Sequence, residues 1–277
     1  MIAGIIGDII GSVYEAHQWA NKDISLIQSL PFDKAIIKPL FKEAKWVRED
    51  YSWTDDTLCT LALYKAFYTN SSPVSTMVEL CKKYQNETIG FGRSFEKWLD
   101  NPVPYQSYGN GAVMRIGFIP YLPISLEDKI SLAYDYTKIS HDHEDCYNAV
   151  NEFIILSEKL KLDKINDNYK KECIKEILNK YKYEQSVESL HNEFKFEINA
   201  LQTFLQAIVI VLEGDSFEDI LRNSFYVGGD SDTLACIACN IGSMLYEVPE
   251  YMITLAKEKL EPYEDLTLIL NHFEKSP

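Results

Sequence analysis

Apolar residues recur three and four positions apart along most of this chain, and alternating strand patterns are scarce. That periodicity predicts an all-α protein, because residues one turn apart share a helix face. Residues 58–68 carry Leu58, Leu61, Ala62, Ala66 and Phe67 at this spacing, and 127–139, 145–160, 198–213 and 233–246 follow the same pattern. No repeat of fixed period is apparent, which argues against a solenoid and for one compact bundle over residues 1–277. From about 159 to 195 the chain is richer in Lys, Glu, Asn and Tyr, as suits a surface helical insertion. Pro102, Pro104, Gly109 and Gly111 interrupt the pattern and mark an irregular loop, a common place for functional residues.

The first helical stretch sets Gly4, Gly7, Asp8, Gly11 and Glu15 on one face. Each glycine costs a helix roughly 1 kcal/mol relative to alanine, so the stripe implies a neighbouring helix at close approach. Asp8 and Glu15 point the same way. Glu15 is a candidate catalytic acid or base, with a solvated helix end as the alternative.

Composition narrows the function. The chain has 277 residues, 46% of them hydrophobic and 25% charged, the balance of a globular protein with a substantial core. Its net charge is −15, from 42 acids against 27 bases, and no block of Lys and Arg suits nucleic acid or an anionic membrane. An anionic small molecule stays compatible if cations and backbone amides supply local positive potential. The start, Met1 to Asp8, lacks a basic region and carries an acid, and no apolar run approaches membrane-spanning length. Scattered cysteines at 59, 81, 146, 173, 236 and 239 lack a disulfide framework, so a soluble, monomeric, cytoplasmic protein is expected. Cys236 and Cys239 lie among Ala235, Ile237 and Ala238, which favours helix packing over zinc.

Two acidic clusters run into apolar helices: Thr54-Asp55-Asp56-Thr57 and Gly228-Gly229-Asp230-Ser231-Asp232-Thr233. Either alone could be a helix cap. If the fold joins them, carboxylates about 4 Å apart repel by roughly 4 kcal/mol at an effective dielectric near 20, which calls for cations. Hard oxygen ligands suit two magnesium or manganese ions, so the pair together points to a binuclear hydrolase. Ser107-Tyr108-Gly109-Asn110-Gly111 offers a hydroxyl, a carboxamide and freely oriented amides for a phosphate, with Tyr108 able to stack on a base; an Asn-Gly turn is the plain alternative. His141-Asp142-His143 could serve a transition metal, or begin an exposed helix.

Gly7-Asp8 with Gly11 and Glu15, Trp53 to Thr57, Gly109-Asn110-Gly111-Ala112 with Met114-Arg115, Ser140-His141, and Gly228 to Thr233 occur in the order of the ADP-ribosylglycohydrolase family, which this chain resembles to about residue 246. The resemblance implies an all-α orthogonal bundle with two Mg2+ (or Mn2+) ions that hydrolyses the bond joining ADP-ribose to an acceptor. It implies Thr54, Asp55, Asp56, Asp230, Asp232 and Thr233 as metal ligands, and Glu15 and Asp55 as catalytic groups. Ser107, Tyr108, Gly109, Asn110, Gly111 and His141, with a bordering Gly90-Phe91-Gly92 segment, would bind substrate. Tyr105 is the candidate second face of an adenine site. The motifs are closest to the branch acting on serine-linked ADP-ribose. An arginine-linked substrate, a helical His-Asp phosphohydrolase and a non-catalytic binding relative are the alternatives.

Overall fold

The glycine stripe of the first helix is where the fold closes. The structure, a computed structural model, describes residues 1–19, 52–87, 90–162, 167–193 and 195–276, with the side chains of residues 13–19 and 167 left aside. Helix α1 (Ile2–Trp19) packs along α12 (Ser231–Gly242). A Cβ at Gly7 would lie 2.4 Å from the Ala235 carbonyl oxygen, and one at Gly11 would lie 2.5 Å from the Asp232 Cα. Only glycine permits that approach, and the helix cost of the stripe is offset by burial of Ile5, Ile6, Ile9 and Ile10 in the core.

Helix α2 (Asp55–Tyr68) is buried on nearly every face, from Asp56 through Tyr64. It runs between α1, α3 (Pro73–Lys83), the short α5 (Gly111–Met114) and α14 (Glu264–Lys275). Helix α10 (Ala200–Glu213) is likewise buried from Ala200 to Val211, against α12 and α7 (Glu144–Leu160). The other helices are α4 (Arg93–Asp100), α6 (Leu126–Lys138), α8 (Asp167–Lys180), α9 (Val187–Glu193), α11 (Phe217–Val227) and α13 (Glu250–Leu260). Among the 14 described helices, side-chain caps at Ser72, Ser125, Asn199 and Ser216 contribute about 1 kcal/mol each, and Thr54 and His143 cap α2 and α7. The described residues contain no strand, and no helix among them is long and apolar enough to cross a membrane.

The structure alters three details of the helical pattern. The expected helix at 198–213 begins at Ala200 because Ile198 and Asn199 are extended and pair with the 108–110 loop: Asn110 donates its amide to the Ile198 carbonyl at 2.8 Å, and Ala200 donates to that of Tyr108 at 2.8 Å. The expected helix at 233–246 starts earlier and ends at Gly242, after which 243–246 tighten into turns ahead of Pro249. Helices α8 and α9, within the 159–195 stretch, are not merely solvated: Cys173, Ile174, Ile177, Val187 and Leu190 bury one face on α7, α10 and α11.

Candidate metal centre and its cavity

Asp8 of α1, Asp56 of α2 and Asp232 of α12 are all buried, and each offers an oxygen atom within 4.8 Å of the others. Asp8 caps the start of α2 from outside it. Its carboxylate accepts the Thr54 amide at 3.0 Å, the Thr54 hydroxyl at 2.7 Å, the Thr57 amide at 3.0 Å and the Thr57 hydroxyl. The Thr233 hydroxyl donates to Asp56 Oδ2 at 3.1 Å, and the Thr233 amide donates to Asp232 Oδ1 at 2.7 Å. Asp56 Oδ1 has no partner among the described residues.

These carboxyl groups destabilise one another as anions. Burial first, and Asp232 second, push Asp8 up to about 7 against the donors from Thr57 and Thr54. Burial and the surrounding acids also hold Asp55, Asp56 and Asp230 well above the usual carboxylate range. A buried oxygen without a donor, inside a set of hard oxygen ligands, is what a divalent cation satisfies, so the residues fit the ions that the family implies.

The cluster lies below a cavity of about 390 Å3, within the span of ligand pockets. Asp55, Asp230, Asp232 and Thr233 line the cavity. Ser107, Gly109, Gly111, Arg115 and His141 line it as well, and Asn110 joins the two groups by donating from Nδ2 to Asp230 Oδ2 at 2.7 Å. Gly90, with φ of 109°, closes over Asp55 so tightly that a Cβ there would lie 2.1 Å from Asp55 Oδ1.

Of the residues singled out in the sequence, Asp55, Gly90, Gly92, Ser107, Gly109, Asn110, Gly111, His141, Asp230, Asp232 and Thr233 meet at this one cavity. Thr54 and Asp56 are buried beneath it. Phe91 turns aside onto Phe95. Tyr108 is exposed beside His143, at 5.9 Å between ring centroids, and Tyr105 is half-buried in the wall facing His141. The Glu15 side chain lies outside the described residues. Two of the amides expected to be free in the 107–111 loop are engaged: Gly109 donates to Ser107 Oγ at 3.2 Å and Asn110 to Ile198. Asp142 turns away from His141 and takes the Tyr147 hydroxyl at 2.7 Å, so the two do not form a joint metal site.

Asp8 enters the cluster without having been expected there as a ligand; its place on the glycine stripe of α1 was the available signal. Phe196 and Ile198 also line the cavity, between the Ser140-His141 and Gly228-Thr233 motifs, and nothing in the sequence marked them.

The profile of the ADP-ribosylglycohydrolase family matches residues 1–274, so the chain belongs to that family. Its members are metal-dependent hydrolases of ADP-ribose glycosidic bonds. In structure the chain is similar to one titled "ADP-ribosylglycohydrolase-related protein complex", with a TM-score of 0.61, 16% identity, and coverage of 97% of this chain and 95% of that one; the likeness supports the fold. No curated protein matches it in sequence.

Proposed function

We propose that this protein hydrolyses the glycosidic bond between ADP-ribose and an oxygen-linked acceptor, with serine-linked ADP-ribose on proteins as the preferred substrate. The observation that carries this reading is that one cavity is lined both by the carboxylates of Asp55, Asp230 and Asp232 and by Ser107, Arg115 and His141. A ligand that carries both ribose hydroxyls and a diphosphate suits that lining.

Two Mg2+ ions would be held by Thr54, Asp55, Asp56, Asp230, Asp232 and Thr233, with Asp8 added, and when bound would orient ribose hydroxyls and make water more acidic at the anomeric carbon. The bond from that carbon to the acceptor oxygen breaks, with oxocarbenium character, and a bond to water oxygen forms. Asp55, half-buried at the cavity, takes the proton from water and returns it to the acceptor oxygen as that oxygen leaves. Glu15 shares this candidacy on sequence alone. Asn110 ties the ligand-facing loop to Asp230, and the 107–111 segment lies along the diphosphate with Tyr108 at the base. The protein is proposed to act as a cytoplasmic monomer.

Release of free ADP-ribose from matched serine-linked and arginine-linked substrates, with magnesium and with a chelator, tests the reading. Chelator-sensitive release from the serine-linked substrate supports it. Release from the arginine-linked substrate alone reassigns the acceptor, and ADP-ribose binding without any release makes the chain a binding relative.

A further inference from the structure

We propose that Arg115 and Ser140 are positioning residues that hold His141 as the neutral tautomer with its proton on Nε2, a fixed hydrogen-bond donor aimed at an anionic oxygen of the ligand. The identity of that oxygen as a phosphate rests on the function proposed above; the tautomer does not.

Arg115 is 1% exposed, and no carboxylate among the described residues lies within ion-pair distance of it. Its Nη2 donates to the Tyr136 carbonyl at 2.9 Å, the Thr137 carbonyl at 3.4 Å and Ser140 Oγ at 3.0 Å. A guanidinium can only donate, so Ser140 Oγ is the acceptor in that bond. The hydroxyl has one proton and two lone pairs, and its other partner is His141 Nδ1, at 2.8 Å. Ser140 is fully buried and its Oγ has no other acceptor among the described residues, so giving that proton to Nδ1 is the arrangement that leaves it satisfied. A ring that accepts at Nδ1 and is neutral carries its hydrogen on Nε2.

Neutrality follows from the surroundings. Burial first, and the Arg115 charge second, hold His141 well below the usual imidazole range. The ring is 6% exposed, and no hydrogen bond within the described residues engages Nε2. That atom faces the glycine edge of the loop: a Cβ at Gly111 would lie 2.9 Å from it and one at Gly109 would lie 3.5 Å away. Glycine at both positions leaves Nε2 open to the cavity.

The loop adds weight to this donor. The Gly109 and Asn110 amides are spent inside the protein, and Asn110 Nδ2 is held by Asp230. In a protein of net charge −15, the His141 N–H with the buried Arg115 charge behind it is a fixed donor toward an anion, in a cavity that the exposed Arg93 also lines.

The test is a multiple-bond 1H–15N spectrum of the full-length protein with labelled histidine, the His141 signals being assigned by their loss in His141→Gln. The expected result is a pyridine-type Nδ1 and a pyrrole-type Nε2 from about pH 5 to pH 8. A protonated Nδ1, or an imidazolium, overturns the relay in the unsubstituted protein alone. Ser140→Ala should give a tautomer mixture, while Ser140→Thr keeps the single form; an unchanged spectrum in a folded Ser140→Ala counts against the relay. Calorimetric titration with ADP-ribose and with inorganic pyrophosphate then tests the donor. His141→Phe should weaken both by about tenfold or more, the loss expected for a hydrogen bond to a charged group, and His141→Gln, which retains an N–H, should recover most of it. Equal affinity in His141→Phe and the unsubstituted protein overturns the donor role. Absence of binding for both probes in the unsubstituted protein overturns the functional reading and the ligand half together, with the spectrum still deciding the tautomer.

Discussion

Asp8 caps a helix it does not belong to, taking the Thr54 hydroxyl at 2.7 Å and amide at 3.0 Å across a separation of 46 residues. The same carboxylate faces Asp56 and Asp232. One side chain thus fixes the start of α2 and completes the acidic cluster, so its replacement separates structural from ionic roles.

Asp8→Asn keeps an oxygen that can accept from Thr54 and Thr57, and removes a charge that Asp232 opposes. The variant is expected to fold, with stability in chelator equal to or above that of the unsubstituted protein. Thermal unfolding should then show a smaller upward shift with magnesium. Asp8→Ala leaves buried donors without a partner and should lose about 1–3 kcal/mol in chelator.

Without ions, stability should fall as pH rises. Asp8 is held up to about 7 in the folded protein against 3.8 ordinarily, so between those values the folded state binds more protons than the unfolded one. Its stabilising contribution is full below the unfolded value and is lost as pH rises through the folded one. Divalent ions favour the ionised carboxylates, so their protection should grow over the same window. Urea unfolding at about pH 5 and about pH 8, with chelator and with magnesium, measures both trends. Greater stability in chelator at the higher pH would contradict the sign.

Asp55→Ala and Asp232→Ala should each reduce ADP-ribose release on the order of a hundredfold or more, with the fold retained by circular dichroism. Unchanged turnover in both would remove the metal assignment.

Gly90→Ala places a methyl group 2.1 Å from Asp55 Oδ1 on a backbone of positive φ. The conformation itself should cost about 1 kcal/mol. Displacement of Asp55 should lower turnover on the order of a hundredfold, the effect of moving a reacting group by about 1 Å. Steady-state kinetics beside thermal unfolding would show whether activity suffers out of proportion to stability.

Gly7→Ala should destabilise by about 1–3 kcal/mol, because α1 must retreat from the Ala235 carbonyl. A neutral result by urea unfolding would mean that the two helices can separate without penalty.

The parts of this molecule legible in its sequence are those carried by local pattern. Apolar periodicity marks α2 and α10, the Gly-Gly turn announces α12, and the glycine stripe of α1 implies a close neighbour without naming it. Asp8 escaped as a ligand because its partners lie on α2 and α12, and a lone acid on a helix face is locally indistinguishable from a solvated one. The engagement of the Asn110 amide was hidden for the same reason: it finds its acceptor at Ile198, 88 positions away by number, through an extended segment that periodicity had assigned to a helix. Phe196 and Ile198 become cavity wall only through that pairing.

The seam between α1 and α12 also bears on synthesis. Ser231 reaches the Gly11 carbonyl at 3.2 Å across 220 positions, so the Asp8 and Asp232 carboxylates meet only after the segment between them has left the ribosome. For most of translation the Asp8 carboxylate waits without its distant counterpart, and a prematurely ended product would carry acids but no assembled centre. Assembly of the acidic centre therefore requires synthesis through α12.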